Sequence, residues 1–212
     1  MTENIEVFKH NSIRIKAMCG NLYIDPFELE ECPKDAACIF ITHDHYDHFS
    51  PKDIEKAACA DTILVVPEKM EAKARTVQDL VGKIVTVKPG TFHEIGGLEV
   101  ETVPAYNIMK PFHPKKAGWV GYVLHVNGKR IYAAGDIDAI REAAAVKCDV
   151  ALVPIGGFYT MDAKKAAELI NAMHPSVAIP VHYGAIVGKP EDAEVFAQNV
   201  KAPIRTEIKI KF

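Results

Sequence analysis

Residues 36–48 read Ala-Ala-Cys-Ile-Phe-Ile-Thr-His-Asp-His-Tyr-Asp-His, an apolar run that ends in a dense group of polar side chains. The run over 36–42 is short enough to be a buried strand. Three of the nine histidines of the chain follow it within six residues, in the pattern H-x-H-x-D-H. This junction predicts a functional site at the end of a strand, and it guides the interpretation of the rest of the sequence.

The residue types and spacing of this motif indicate a metal site. At the end of an extended strand, His43 and His45 point to the same side, so both imidazoles can reach one ion. The turn that follows can bring Asp47 and His48 toward a second ion. Imidazole together with carboxylate suits zinc, manganese or iron. A merely solvated loop is the alternative, but burying so many titratable groups without a metal would be costly.

Two ions need more ligands than one loop supplies, and other predicted strand ends provide them. Asp136 follows a strand directly after Gly135, whose missing side chain permits close approach, and its carboxylate could bridge two metals. His182 follows the predicted strand 177–181 in the same way. Taken singly, Asp136 could be a turn aspartate and His182 a core histidine. Together with H-x-H-x-D-H, both are predicted ligands.

The composition is that of an ordinary globular protein. The chain has 212 residues with 25 Lys+Arg, 28 Asp+Glu and a net charge of −3. This length predicts one domain over 1–212, and the charge gives no electrostatic reason to bind nucleic acid. Five cysteines without C-x-x-C spacing indicate reduced thiols. No signal-type or membrane-spanning pattern is present, which predicts a cytoplasmic protein with no membrane partner.

Strands and helices alternate along the predicted chain. The predicted strands are 5–8, 12–18, 21–24, 36–42, 62–66, 120–126, 129–134, 150–154, 177–181 and 205–212, with consecutive antiparallel strands within 83–105. The predicted helices are 51–58, 67–80, 162–172 (opened by Thr160) and 190–200. The segment 106–118 is a polar loop without periodicity, of the kind that often carries function.

The order of these motifs resembles the metallo-β-lactamase superfamily. An aspartate after an early strand, Asp25, precedes H-x-H-x-D-H, which is followed by a loop histidine, by Gly135-Asp136 and by a histidine at 182. More narrowly, three segments resemble the branch that includes ascorbate-6-phosphate lactonase and many metal-dependent hydrolases. They are Ile24-Asp25-Pro26-Phe27, Val103-Pro104-Ala105-Tyr106 and His182-Tyr183-Gly184.

The resemblance implies an α/β fold, a four-layer αββα sandwich whose strand-end loops hold two divalent transition-metal ions, zinc first and manganese or iron as alternatives. It implies that His43, His45 and a loop histidine hold one ion, that Asp47, His48 and His182 hold the other, and that Asp136 lies between. Asp25 is expected to orient a ligand histidine.

The implied reaction is hydrolysis by a metal-bound hydroxide. We assign Asp47 and Asp136 to the catalytic machinery as well, because an aspartate or a water must give a proton to the leaving group.

The chain departs from the family pattern at one position. Several relatives have a histidine directly after the Pro-Ala-aromatic turn, whereas this chain has Asn107 there. We expect His113, in the same loop, to replace it as the third histidine of the first ion. The alternatives are an incomplete site or a one-metal enzyme. His10, one strand ahead of Asp25, could support the site without touching an ion.

Several lysines suggest the kind of substrate. Lys110, Lys115 and Lys116 lie in the His113 loop and Lys189 follows His182, so a cationic rim could hold a small anionic lactone or phosphoester. Ordinary solvated lysines are an equal alternative. The expected partner is a small-molecule substrate, and the oligomeric state is left open.

Three rival functions remain at this point. An iron-dependent oxidoreductase is one, although flavodiiron-type members keep a glutamate where this chain has His45. A nuclease is less favoured because RNA-processing members need an inserted domain or exosite that 212 residues do not accommodate. A non-catalytic metal-binding protein is the third.

Overall fold

A computed structural model describes residues 2–212 and contains two mixed β-sheets flanked by helices. The strands are β1 (Ile5–Val7), β2 (Ile13–Ala17), β3 (Gly20–Ile24), β4 (Ala36–Phe40), β5 (Ala58–Pro67), β6 (Lys83–Val87), β7 (Phe92–Ile95), β8 (Leu98–Pro104), β9 (Val120–Val126), β10 (Lys129–Ala133), β11 (Val150–Pro154), β12 (Val177–Val181) and β13 (Arg205–Thr206). The helices are α1 (Pro51–Ala57), α2 (Glu71–Ala74), α3 (Arg141–Ala144), α4 (Ala163–Met173) and α5 (Asp192–Asn199).

The first sheet has the strand order β1-β2-β3-β4-β5-β6, and the second has the order β13-β12-β11-β10-β9-β8-β7. Alternate residues of the first sheet face two different cores, as the period of two along a strand requires. In β4, Cys38 and Phe40 join the large core between the sheets, while Ile39 joins a smaller core with Ile54 of α1.

Helices cover the outer face of the second sheet, as α1 does for the first. Ala166 and Ile170 of α4 and Phe196 of α5 join the large core with the strands. Helices thus cover the outer face of each sheet, which confirms the predicted αββα sandwich. None of the helices within 2–212 is long and apolar enough to cross a bilayer, and all five cysteines are free thiols.

The expectation of consecutive antiparallel strands over 83–105 is wrong for its first strand. β6 pairs parallel to β5 at the edge of the first sheet, whereas β7 and β8 form an antiparallel pair in the second sheet. The turn at Pro89-Gly90 carries the chain between the sheets, with Gly90 at a φ of +75°. Alternation identifies strands correctly here but does not identify their partners.

Several predicted helix and strand boundaries also differ from the structure. The segment 67–80 contains only the short α2, between 3-10 turns at Glu68–Met70 and Arg75–Leu80. The β-branched Thr76 and Val77 disfavour a continued α-helix there. Asp162, not Thr160, caps α4 through a hydrogen bond from the Lys165 backbone N–H.

The remaining differences lie near the C-terminal end and in one short helix. The helix expected from 190 begins at Asp192, and the closing strand expected over 205–212 is reduced to β13. The four-residue α3 was not predicted, because one helical turn leaves too few residues for a periodic pattern.

The topology brings several strand ends together. β10 and β12 both run parallel to β11, and β8 is antiparallel to β9, which is antiparallel to β10. The carboxyl ends of β8, β10 and β12 therefore lie at one edge of the second sheet. Each of these strands leads into a segment that carries one of the predicted ligands.

Candidate metal centre

The H-x-H-x-D-H segment forms a tight turn between β4 and α1. The backbone N–H groups of His48 and Phe49 both donate to the His45 carbonyl oxygen, at 3.1 and 2.8 Å. His43 and His45 therefore lie in a loop rather than on the strand, which ends at Phe40. Their imidazoles still converge, with 3.1 Å between His43 Nε2 and His45 Nδ1.

A buried aspartate on the neighbouring strand end anchors this turn. Asp25 accepts hydrogen bonds from the Thr42 backbone N–H and hydroxyl group, at 2.8 and 2.6 Å, and from Asn11 Nδ2 at 2.8 Å. His48 Nδ1 lies 2.8 Å from the same carboxylate. When His48 is neutral and its Nδ1–H donates to Asp25, the lone pair of its Nε2 is directed away from Asp25, toward the other cluster residues.

Asp136 lies at the centre of the residues that the sequence singled out. Its Oδ2 is 3.2 Å from His113 Nε2, 3.1 Å from His182 Nε2 and 4.0 Å from His43 Nε2. Its Oδ1 is 3.4 Å from His48 Nε2. All seven candidate ligands are thus brought into one group, contributed by four different loops.

Two subsets around this group have the spacing of metal ligands, and a third set, His43, His48 and Asp136, joins them. His43, His45 and His113 each offer one ligand atom, and these atoms lie within 4.8 Å of one another. The same holds for the second subset, which consists of His10, Asp47, His48 and His182. The subsets match the division between two ions that the resemblance implies, with one addition, His10.

His10 is more closely integrated than the sequence indicated. Its Nε2 lies 3.0 Å from Asp47 Oδ2, and its ring lies 3.7 Å, centroid to centroid, from that of His182. The His10 carbonyl oxygen also accepts a hydrogen bond of 2.7 Å from the His182 backbone N–H. His10 therefore positions both Asp47 and His182.

The chemistry of the buried atoms fits a metal centre. Six atoms of the cluster residues are buried and have no hydrogen-bond partner within 2–212. Four of them belong to Asp136 and the imidazoles that face it: His48 Nε2, His113 Nε2, His182 Nε2 and Asp136 Oδ1. A buried polar atom without a partner costs about 1–3 kcal/mol. Four such atoms directed at one another, on imidazole and carboxylate groups, form a donor set suited to zinc, manganese or iron.

The electrostatics show how strongly these groups interact. Burial by itself would lower the pKa of His48, but the carboxylates of Asp136, Asp25 and Asp47 raise it to about 9. Burial, followed by the neighbouring charge of His48, holds the pKa of His43 well below its usual value. The pKa of Asp136 is also held well below its usual range, because the surrounding histidines outweigh its burial.

Asn107, at the position where the family pattern has histidine, is directed at His113. Its Oδ1 lies 2.8 Å from His113 Nδ1, and its backbone N–H donates to the His113 carbonyl oxygen at 2.7 Å. Since Asn107 Oδ1 can only accept, the proton of His113 lies on Nδ1 and the Nε2 lone pair faces Asp136. The structure thus brings His113 into the cluster and places Asn107 behind it.

Two glycines allow the close approach of the cluster loops. Gly135 has a φ of +65°, and a Cβ atom there would lie 2.9 Å from Thr42 Cβ. A Cβ atom on Gly156 would lie 2.4 Å from the His182 carbonyl oxygen. Any larger residue at either position would move Asp136 or His182 away from the cluster.

Residues 4–182 match the family described as the beta-lactamase superfamily domain. The match runs from the first strand to the last histidine of the cluster, so it includes every candidate ligand. This chain belongs to the metallo-β-lactamase superfamily.

Relatives of this superfamily member include named hydrolases. It is 30% identical to a metal-dependent hydrolase of Pyrobaculum calidifontis, over 96% of this chain and 94% of the relative. It is 32% identical to a metal-dependent hydrolase of Korarchaeum cryptofilum, over 84% of this chain and 81% of the relative. The predicted class, a metal-dependent hydrolase of the metallo-β-lactamase superfamily, is confirmed.

A solved structure gives the same result for the fold. A protein of Parabacteroides distasonis, described as a putative metal-dependent hydrolase, superposes with a TM-score of 0.80 at 28% identity. The alignment covers 97% of this chain and 91% of that one.

Two of the four lysines of the expected cationic rim have acidic partners. Lys110 Nζ bonds to Asp138 Oδ1 and to the Thr160 carbonyl oxygen, and Lys115 Nζ lies 2.8 Å from Glu142 Oε1. Lys116 and Lys189 are exposed.

Sequence reasoning missed several other residues around the cluster, for which the signals were weak. Asn11 and Thr42 complete the hydrogen bonds of Asp25. Trp119 packs with ring centroids 5.0, 5.1 and 5.5 Å from those of His43, His45 and His113. The signal for Trp119 was its position, because it is a large apolar residue at the end of the loop that carries His113. For Asn11 the only signal was its proximity to His10 in the sequence.

Proposed function

We propose that this superfamily member hydrolyses a small substrate, such as a lactone or phosphoester, at a centre of two divalent transition-metal ions. His43, His45 and His113 would hold one ion, Asp47, His48 and His182 would hold the other, and Asp136 would lie between them. When bound, such ions lower the pKa of a water ligand to about 7 and polarise the scissile carbonyl or phosphoryl oxygen.

One observation carries this proposal. Four buried imidazole and carboxylate atoms without hydrogen-bond partners converge from four loops, in a chain whose named relatives are metal-dependent hydrolases. A structural histidine cluster would satisfy these atoms internally. A ligand set leaves them available.

The surrounding residues prepare the ligands. Asp25 fixes the tautomer of His48, Asn107 does the same for His113, and His10 holds the Asp47 carboxylate through Oδ2. Such supporting contacts keep imidazoles in the orientation that metal binding needs.

The two aspartates are ionised at neutral pH. Although burial acts in the opposite direction, His10 and His48 lower the pKa of Asp47 to about 2, and the pKa of Asp136 is shifted downward as well. The ionised carboxylate is the form that binds a divalent metal ion. Asp47 Oδ2 is bonded to His10, so Asp47 Oδ1 is the atom that would relay a proton from water to the leaving group. It would pass this proton on without storing it, because a carboxylate of low pKa is a weak base.

Metal content tests the ligand assignment. We expect the wild-type protein, stripped with a chelator and dialysed against zinc or manganese, to retain up to two ions per chain. His45→Ala and Asp136→Ala should lose most of this metal, since each removes a ligand from the proposed site. His93→Ala is a matched control because His93 lies on β7 and bonds only to Thr91.

The same samples test the reaction. Hydrolysis of at least one member of a panel of lactones, phosphodiesters, phosphomonoesters and amides should require the retained metal and disappear in both cluster variants. Full metal content in His45→Ala or Asp136→Ala would contradict the ligand assignment. A coloured, iron-selective protein without hydrolytic activity would favour an oxidoreductase instead.

A further inference from the structure

The loops that carry the candidate ligands also expose large apolar side chains. Within residues 2–212, nine such side chains are exposed, and four of them lie in these loops: Tyr46, Ile108, Met109 and Ile186. A fifth, Phe158, lies in the loop between β11 and α4. Met109 is 90% exposed and Phe158 is 66% exposed. Isolated surface apolar residues are ordinary, but a concentration of them beside a cleft marks a binding site.

Three aromatic rings, one in the His113 loop and two in the loop between β11 and α4, pack against one another. The ring centroids of Phe112 and Tyr159 are 4.8 Å apart, those of Phe158 and Tyr159 are also 4.8 Å apart, and those of Phe112 and Phe158 are 5.6 Å apart. We call these three residues the aromatic rim. Their mutual contacts hold the rings in place although Phe158 is largely exposed, so the rim offers a preformed apolar surface.

The two loops that carry the aromatic rim adjoin the candidate metal centre. Phe112 precedes His113 in the chain. Phe158 and Tyr159 follow Gly156, where an added Cβ atom would lie 2.4 Å from the His182 carbonyl oxygen. Each loop of the rim is therefore next to a residue of one ligand subset.

The charges nearby favour an apolar group over an anionic one. Two of the three lysines of the His113 loop, Lys110 and Lys115, form ion pairs with Asp138 and Glu142, and the third, Lys116, is exposed. Lys110 also bonds to the carbonyl oxygen of Thr160, directly after the rim. This lysine therefore connects the two loops of the rim instead of serving as an anion receptor.

We propose that the aromatic rim is the specificity surface of this enzyme and binds an apolar, preferably aromatic, substituent of the substrate. The inference rests on the proposed hydrolytic function and names the substrate class: lactones or esters that carry such a substituent close to the scissile ester bond. Even one methylene in an apolar pocket changes kcat/KM by about 10–200-fold. A phenyl group that packs on three rings is therefore expected to give at least about a tenfold preference.

Equilibrium binding tests the surface without turnover. The probes are 4-phenylbutyrate and pentanoate, two carboxylates that share the same chain and differ by a phenyl in place of a methyl group. Calorimetric titration of the metal-loaded protein should show that 4-phenylbutyrate binds at least about tenfold more tightly. Phe158→Ala should remove most of this advantage and leave pentanoate binding unchanged, which also shows that the variant is folded.

Phe92→Ala is the matched control, because Phe92 is a comparably exposed phenylalanine on β7 that is not part of the rim. This variant should keep the full preference for 4-phenylbutyrate. The proposal is overturned if the wild-type protein binds the two carboxylates with equal affinity. It is also overturned if the preference for 4-phenylbutyrate survives both in Phe158→Ala and in the double variant Phe158→Ala with Tyr159→Ala.

Turnover separates this inference from the proposed function. The lactone pair γ-phenyl-γ-butyrolactone and γ-valerolactone should differ in kcat/KM by the same factor, and Phe158→Ala should lower only the value for the phenyl lactone. Hydrolysis of both lactones at equal rates, with equal carboxylate binding, would refute the rim while the hydrolase function stands. A clear phenyl preference in binding without hydrolysis of either lactone would support the rim and count against lactone hydrolysis.

Discussion

The hydrogen bond between Asn107 and His113 gives the two residues different expected roles. Asn107 Oδ1 faces His113 Nδ1 at 2.8 Å, so this carboxamide oxygen is engaged in orienting the imidazole. His113 Nε2, in contrast, is buried, lacks a hydrogen-bond partner within 2–212 and lies 3.2 Å from Asp136. His113 is therefore the direct ligand that we propose, and Asn107 supports it.

Metal affinity should rank these two positions. We expect His113→Ala to weaken binding of the first ion by more than tenfold, since it removes one of three imidazoles, and Asn107→Ala to weaken it less. The loss of a supporting partner typically costs about 10–100-fold, so Asn107→Ala is expected at the lower end. Fluorescence of Trp119, the only tryptophan of the chain, should report the titration because its ring contacts all three histidines.

Asn107→Asp provides the matched control, because it keeps an acceptor oxygen at the same place and should retain binding. If His113→Ala leaves metal affinity unchanged while Asn107→Ala weakens it, His113 only lines the site and is not a ligand. The first metal site is then built differently from the family pattern.

The sequence predicts which residues belong to the cluster better than it predicts the local geometry of these residues. His43 and His45 were expected to converge through the alternation of an extended strand, yet they converge in a turn that begins after Phe40. The residue types at strand ends sufficed to predict the members, since imidazole and carboxylate groups are rarely gathered without a ligand. Contacts such as Asn107 to His113 depend on how a non-periodic loop folds, and no local pattern encodes that.

At the scale of single elements, α4 shows how one side chain sets a boundary. Asp162 Oδ1 accepts a hydrogen bond of 2.9 Å from the Lys165 backbone N–H, while Thr160 is buried and bonds elsewhere. Both residue types favour helix starts, so the sequence alone did not decide between them.

We expect Asp162→Ala to lower the free energy of unfolding by about 1 kcal/mol, because the first turn of α4 then loses its side-chain acceptor. Urea unfolding followed by circular dichroism measures this change. Glu191→Ala is the control: Glu191 precedes α5, and its side chain makes no capping hydrogen bond, so it should have little effect. Equal losses in both variants would show that the cap of α4 contributes nothing specific.

Sheet membership was harder to predict than the strands themselves. Most strands appear where alternation or buried apolar runs placed them, but β6 belongs to the first sheet and β7 to the second. A short turn can either return a strand to its neighbour or send it across to the facing sheet, and hydrophobic alternation is the same in both cases. The family resemblance supplied the sandwich architecture that local patterns did not.

At the scale of the whole molecule, the metal-free cluster should make stability depend on pH from both directions. Burial lowers the pKa of His10 to about 4, below the value of ~6.5 in an unfolded chain. Between these values the unfolded chain binds more protons, so acid destabilises the fold. His43 and His45 are shifted in the same direction.

His48 acts in the opposite sense. Despite its burial, the carboxylates of Asp136, Asp25 and Asp47 raise its pKa to about 9, so the folded protein binds the extra proton between pH ~6.5 and about 9. Its stabilising contribution is complete below pH ~6.5 and is lost as the pH rises through about 9. Shifts of this size correspond to about 3 kcal/mol each.

We therefore expect the free energy of unfolding of the chelator-treated protein to be greatest near pH ~6.5 and to fall by a few kcal/mol toward pH 4 and toward pH 9. Urea denaturation across this range measures the profile. His48→Gln should abolish the alkaline decline, because a neutral amide carries no titrating proton, and His93→Ala should leave the profile unchanged. Bound zinc or manganese requires a neutral imidazole at His48, so the metal-loaded protein should also lack the alkaline decline. An alkaline decline that persists in both His48→Gln and the metal-loaded protein would show that His48 does not interact with the three carboxylates as the structure indicates.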